Sequence, residues 1–296
     1  MKGASIIVAT YNRSNILSKA VDSLLNQKTR HDYEIIIVND GSTDNTKEVL
    51  KTYENNNKIK TINIEKNSGP AEARNLGFKT SKYLISIVMD DDCIADPHWL
   101  DEMLEPFSYS KIGISSNYFV WVDGERIFGG TSTAYLNKAV KDVGYFDKRF
   151  RFALWEDTDL VFRIMDAGYK IGFAEGANYI HFRENPKKLV GKIKYAFRRM
   201  YIHQSDVLLF KKHPIRGAKY FRVKLGFLIP PINDFKKATG LWYGKKLSLS
   251  SPQGVEFIRG NGILSKTLII IFGIAYSISV KFFRLYGSIK YGKLLL

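Results

Sequence analysis

The feature that most constrains this chain is an alternation that fills its first 110 residues. Short apolar, β-branched runs ("SIIVA", "YEIIIVN", "IKTINI", "YLISIVM") take turns with stretches of helical period over 15–26, 43–53, 70–79 and 97–107. Strands that are apolar on both faces must be covered on both sides, and intervening helices supply that cover. The order builds βαβ units around a mostly parallel sheet, so the sequence predicts a doubly wound α/β domain. Proline at the first helical position marks two of the starts, Pro70 after Gly69 and Pro97 after Asp96, with Asp96 as a cap. "NDGSTDNT" has the turn chemistry that joins a strand to the next helix. Beyond residue 110 the pattern becomes mixed. "IGISSNYFVWV", an Asp123-Gly124 turn and "ERIFGG" predict a β-hairpin, and a helix is expected over 157–167, ended by Gly168.

The 296 residues carry a formal net charge of +16, but the average hides a division. Residues 1–184 hold 23 Lys/Arg against 26 Asp/Glu, a balance of −3; residues 185–296 hold 22 against 3, a balance of +19. Two domains are therefore expected, 1–184 and 185–296, with the boundary near Asn185-Pro186 and the basic partner surface in the second. That second segment reads as helices rich in Lys, Arg, Tyr and Phe, interrupted by Pro230-Pro231 and a Gly/Ser-rich stretch up to Gly262. Its uncharged run 267–280, at about 1.5 Å per residue, reaches only about 21 Å and falls short of a hydrocarbon core of about 30 Å. A buried or interfacial helix is expected there rather than a span. The single cysteine, Cys93, excludes an intramolecular disulfide and a cysteine-rich zinc site, and fits a reducing compartment. With a strand starting almost at residue 1, no cleaved leader is expected, and the protein is expected to face the cytoplasm.

Within this frame, three strands end in polar residues: Thr10-Tyr11-Asn12, Asn39-Asp40-Gly41 and Asp90-Asp91-Asp92. In open α/β sheets ligands bind beyond the carboxyl ends of the strands, so these groups are expected to converge. Three adjacent aspartates repel and need compensation. On an extended chain Asp90 and Asp92 share a side, and two hard carboxylates there suit Mg²⁺ or Mn²⁺ with a diphosphate on the ion's other side.

"SIIVATYNR", "VNDGSTDNT", "NSGPAEARNLG", "VMDDDC" and "WEDTDLVFRIMDAGYKI", in that order and approximate spacing over residues 3–183, resemble the family 2 inverting glycosyltransferases. The resemblance implies the GT-A fold and a metal-dependent transfer from a UDP- or GDP-linked sugar. It implies that Ala9, Thr10 and Tyr11 line the base and ribose, that Asp40 hydrogen-bonds the base, and that Arg74 helps hold the nucleotide. Asp90 then lies towards the ribose, Asp92 ligates the metal, and His181 in "YIHFR" is a further metal or diphosphate ligand.

Inverting transfer needs a base for the acceptor hydroxyl, and a carboxylate is suited to that role. "WEDTD" offers Glu156, Asp157 and Asp159 at a helix start. In the resembled motif the second acid is the base, which selects Asp157 with Glu156 as alternative; Trp155 is expected to form an apolar floor for the acceptor. The basic segment, which interleaves cations and apolar residues in "KKLVGKIKYAFRRMYIH", suits peripheral or monotopic docking on an anionic membrane, beside a lipid-linked or growing glycan acceptor. The competing reading is a nucleic-acid-binding protein or a nucleotidyltransferase; a near-neutral catalytic half and the "EDTD" acids argue against it.

Overall fold

The two-sided apolar runs do become the centre of a sheet. The computed structural model describes residues 3–117, 119–122, 125–128, 130–182, 189–243, 246–250 and 256–296. It divides into two units, Met1–Arg183 and Glu184–Leu296.

In the first unit the order is β1 (Gly3–Thr10), α1 (Leu17–Leu25), β2 (Asp32–Asp40), α2 (Thr46–Lys51), β3 (Ile59–Ile64), α3 (Pro70–Thr80), β4 (Ile85–Asp90), β5 (Cys93–Ala95) and α4 (Trp99–Leu104). Then come β6 (Ile112–Ser116), β7 (Phe119–Val122), β8 (Glu125–Phe128), β9 (Ser132–Leu136), α5 (Asn137–Asp142), α6 (Glu156–Asp166), β10 (Lys170–Phe173) and β11 (Tyr179–His181). Seven strands form one sheet in the order β10-β6-β9-β4-β1-β2-β3. Neighbours run parallel except β9, which is antiparallel to both β4 and β6. Side chains alternate across it as a strand requires. Ile6, Val8, Ile35 and Ile37 pack with Leu17, Val21 and Trp99 on one face, while Ile7 and Val88 pack with Phe78, Tyr135 and Ile164 on the other.

The hairpin expected after residue 110 is shorter than its sequence suggested. "IGISSNYFVWV" splits: Ile112–Ser116 joins the main sheet between β9 and β10, and only Phe119–Val122 pairs with Glu125–Phe128. Burial decides the split, since Gly113 to Ser116 are covered by the core. The Asp123-Gly124 turn and the expected boundary at 184/185 lie outside the described residues.

The second unit contains α7 (Leu189–Tyr201), α8 (Gln204–Lys212), α9 (Pro214–Phe221), α10 (Pro231–Ala238), a hairpin of β12 (Ser248–Ser250) with β13 (Glu256–Arg259), and α11 (Ile263–Tyr291). The sequence-based length of the last apolar segment is corrected here. The uncharged run is the middle of one 29-residue helix, about 43 Å long at 1.5 Å per residue, so it is long and apolar enough to cross a membrane by length and composition. Lys281 and Arg284 are good helix formers and the helix runs on through them; what their burial requires is that acids take up their charge. Arg284 is fully buried and donates from Nε to Asp206 (2.9 Å) and from Nη1 and Nη2 to the two oxygens of Asp234 (2.7 and 2.9 Å). Lys281 Nζ donates to the Ile229 carbonyl and lies 3.7 Å from Asp234.

Candidate active site

β1 turns out of the sheet through Asn12, held at φ +54. Its Oδ1 accepts the Thr43 and Asp44 amides at 2.7 and 3.3 Å, which ties the loop after β1 to the loop after β2. Asp44 fastens the same junction, accepting from the amides and hydroxyls of Ser14 and Thr46. Desolvation, the largest single influence, opposes ionisation of Asp44, but those hydrogen bonds together outweigh it and hold the carboxyl down at about 2. Of the residues expected at the base and ribose, Thr10 is buried, Ala9 half-buried and Tyr11 44% exposed.

Asp40 is buried at the end of β2. Its carboxylate accepts the Ser68 and Gly69 amides, both at 2.8 Å, and the Asn67 side-chain amide at 3.0 Å. It therefore fixes the loop that opens α3. Gly41 lets that loop approach: a Cβ there would stand 2.6 Å from the Asn67 nitrogen, at a φ of +71.

Arg74, buried on α3, joins three elements. Nη2 donates to Asp90 Oδ1 on β4 at 3.1 Å and Nη1 to Glu156 Oε1 on α6 at 2.6 Å, with the Phe146 ring 5.7 Å away. Burial pushes Asp90 up, Arg74 opposing and the Asp92 charge adding. Burial and the neighbouring Asp157 charge push Glu156 up to about 7, again against Arg74. The second oxygen of Glu156, Oε2, is buried with no hydrogen-bond partner.

The other two aspartates turn to different partners. Arg13 places Nε 3.5 Å from Asp91 and Nη2 3.3 Å from Asp92. Burial pushes Asp91 up to about 7 against the pull of Arg13. For Asp92 burial acts in the same sense, but the hydrogen bond and charge of His181, together with Arg13, hold its carboxyl below the usual range. His181 comes from β11, which pairs antiparallel with β5 and sets His181 opposite Cys93; its Nε2 lies 3.0 Å from Asp92 Oδ1.

One ligand atom from each of Asp92, Cys93 and His181 lies within 4.8 Å of the others. Asp90, bound to Arg74, is not in that group. The donor chemistry fits a hard or borderline divalent ion through the Asp92 oxygen and the His181 nitrogen; a thiolate is a soft donor suited to other metals. The far nitrogen of His181, Nδ1, is buried without a hydrogen-bond partner.

The three acids of "WEDTD" separate clearly. Trp155 stands before α6 in the left-handed region, φ +73. Asp157 is half-exposed, accepts the Thr158 amide at 2.6 Å, and forms no ion pair among the described residues. Close backbone approach leaves room for it, since a Cβ on Gly130 would fall 2.0 Å from Asp157 Oδ2. Asp159 is fully buried and holds Arg163 through Nε and Nη2 at 3.0 and 2.8 Å, while Arg163 donates to the Val143 and Tyr145 carbonyls. Asp159 is a strut.

Sequence reasoning missed Arg13, whose signal was a cation one residue past the polar end of β1. It also missed that Arg74 binds acids on two other elements.

The sheet and the acidic edge it presents have the GT-A architecture. The sequence model described as Glycosyl transferase family 2 matches residues 5–165, more than half the chain, and the chain belongs to that family. The chondroitin synthase of Escherichia coli is 37% identical over 297 aligned positions, covering 79% of this chain and 43% of its own length. The hyaluronan synthase of Pasteurella multocida is 26% identical, covering 63% of this chain and 25% of its own. The chain thus spans less than half of each of these relatives. Among solved structures, a mannosyltransferase of Pyrobaculum calidifontis in complex with GDP-Man and Mn2+ superposes with a TM-score of 0.63, over 96% of this chain and 87% of that one. At 16% identity this likeness speaks for the fold alone.

Proposed function

We propose that the chain transfers a sugar from a UDP- or GDP-linked donor to an acceptor hydroxyl or phosphate, with inversion, and that Asp157 is the base. The observation that carries this reading is the division of labour at the start of α6: Glu156 is taken up by Arg74, whereas the adjacent Asp157 is half-exposed and free of any ion pair among the described residues. An acid already holding a buried guanidinium is poorly placed to collect a proton from an incoming group; its neighbour is well placed.

In this reading Ala9, Thr10, Tyr11 and Asp40 bound the base and ribose pocket. Arg74 orients Asp90 towards the ribose, and Trp155 floors the acceptor. As the acceptor oxygen bonds to the anomeric carbon, its proton passes to Asp157, and the bond from that carbon to the diphosphate breaks on the opposite face. The electron pair leaves with the nucleotide, so no covalent sugar–enzyme species is needed. Asp92 and His181 would hold Mn²⁺ or Mg²⁺, which supplies Lewis-acid stabilisation of the leaving diphosphate.

Relatives named as chondroitin and hyaluronan synthases support a growing glycan as acceptor, with a lipid-linked glycan as the other form. Residues 1–184 are the transferase domain in this proposal. Residues 185–296 are its basic extension, which associates with the anionic cytoplasmic face of a membrane; the +19 balance and the long apolar α11 support that part.

The test is a thermal-shift titration of the full chain with UDP- and GDP-sugars, with and without Mn²⁺, on wild type and on Asp92→Ala. Metal-dependent stabilisation by one nucleotide series, lost in Asp92→Ala, is the expected result. Absence of stabilisation by every nucleotide would sink the donor-site assignment.

A further inference from the structure

The long helix α11 has two faces that the sequence does not distinguish. One is buried within the second unit: Ile269, Gly273, Ser277, Val280, Arg284 and Ser288 follow one another at helical spacing. Small residues on it admit close neighbours. A Cβ on Gly273 would stand 2.8 Å from Phe235 and Thr239, on and just after α10, and one on Gly287 would stand 2.6 Å from the Gln204 carbonyl of α8. Protein therefore covers this side in the first half of the helix, at Gly273, and again towards its C-terminal end, at Gly287 and where Arg284 holds Asp206 and Asp234.

The opposite face is exposed and apolar. Leu268, Ile271, Ile274, Ile278, Phe282 and Leu285 repeat at the same spacing, with Ile278 66% and Phe282 64% exposed. Between Thr267 and Ile289 no exposed residue of the helix carries a charge, and exposed lysines stand just outside, Lys266 at one end and Lys290 at the other. α7 lies alongside, its Phe197 ring 5.6 Å from Phe283, and its own exposed Val190, Ile193 and Phe197 are interleaved with exposed Lys194 and Arg198.

We infer that α11 lies in the plane of an anionic lipid bilayer, with its exposed stripe sunk to the acyl boundary, and does not cross it. The inference rests on the membrane-association reading above and deepens it by assigning the face and the orientation. Length and composition alone would allow a crossing, but the packing opposes it. A crossing helix would draw α8 and α10 into hydrocarbon with it, along with their exposed Lys211 and Lys236 and the buried Arg284 cluster, where charged groups are strongly disfavoured. Lying flat, the helix buries its apolar side in lipid, leaves the helices behind it in water, and sets a ring of cations at headgroup level. Charge selects the occupant: a segment with a balance of +19 around an uncharged stripe complements an anionic surface, and repels a second copy of itself.

The experiment uses the full chain and vesicles of phosphatidylcholine with and without phosphatidylglycerol. A polarity-sensitive fluorophore is placed on single cysteines at Leu264, Ile271, Ile278 and Ile289, in a Cys93→Ser background, and its depth is read with lipids quenched at different positions. Expected are binding that requires phosphatidylglycerol and weakens with salt, and the same shallow depth at all four sites. In the unlabelled protein, Ile271→Glu with Ile278→Glu is expected to weaken binding on the order of a hundredfold, with the melting temperature retained. A profile deepest at Ile278 and shallow at both ends would overturn the in-plane assignment and leave membrane association standing. Failure to bind any vesicle would remove the membrane reading itself. A dimer in free solution, dispersed by the glutamates while vesicle binding persists, would give the stripe to a second copy and overturn the inference.

Discussion

The two units bury charge in opposite ways. In the second, all three nitrogens of Arg284 donate to carboxylate oxygens, and Asp206 is further bound by His203 Nδ1 at 2.9 Å while His203 Nε2 meets the Tyr276 hydroxyl at 3.0 Å. In the first, Arg74 is shared between Asp90 and Glu156, and bonding capacity is left over at Glu156 Oε2 and at His181 Nδ1. A closed network fixes helices. A network with vacancies has room for a ligand, at the expense of stability, because buried polar atoms without partners are costly.

The sharpest way to break the comparison is to open the closed network. Arg284→Ala leaves Asp206 and Asp234 buried without their cation and is expected to destabilise the chain by about 3–5 kcal/mol in urea melts. The triple change Arg284→Met, Asp206→Leu, Asp234→Leu is expected to recover most of that loss, since an apolar replacement of a whole buried cluster is often neutral. Failure of the triple variant to recover would show that the cluster does more than hold helices.

Asp157→Asn should act on rate and barely on stability: turnover is expected to fall by about 10²–10⁴-fold, with donor-induced thermal stabilisation unchanged. If Glu156→Gln gives that loss with its melting temperature intact and Asp157→Asn does not, the roles of the two acids are reversed. Arg74→Lys keeps the charge but loses the fork that reaches two carboxylates, and is expected to cost about 1–3 kcal/mol in stability and to weaken donor binding. An unchanged donor affinity would make Arg74 purely structural.

Asp44 supplies the smallest effect and a calibration, being satisfied by hydrogen bonds yet near solvent. Its folded-state carboxyl lies below the unfolded value, so its contribution is present above about pH 4 and is lost as pH falls through about 2. Asp44→Ala is expected to cost no more than about 1 kcal/mol at neutral pH, because the group is only half-buried and is screened by solvent. The gap between variant and wild type should close in melts taken near pH 2; a gap that persists there would mean that the loop packing, and not the charge, matters.

Local patterning made the first half of the fold readable. "IKTINI" is a strand from its first residue to its last, and Pro70 opens a helix where a proline at the first position should. What escaped was long-range. β9 slips antiparallel between β4 and β6, a pairing that nothing within "STAYL" announces. The contact of His181 with Asp92 depends on a three-residue strand pair between β5 and β11, and Arg284 can be buried in α11 because Asp206 and Asp234, distant in sequence, meet it. At the candidate site the residue types were legible and their partners were not: nothing in "WEDTD" announces that Arg163 holds Asp159 or that Arg74 holds Glu156.

The left-handed turn at Trp155 has a consequence for engineering. A bulky residue in that region costs roughly 1–2 kcal/mol and blocks continuation of the helix backwards by even one residue, so α6 has a mechanical stop at its first turn. The acid two positions on is indexed from that stop and not from the length of chain that precedes it. Changes in the preceding chain that keep this turn and the buried Phe150 would therefore leave Asp157 where it stands, like a tool clamped in a chuck.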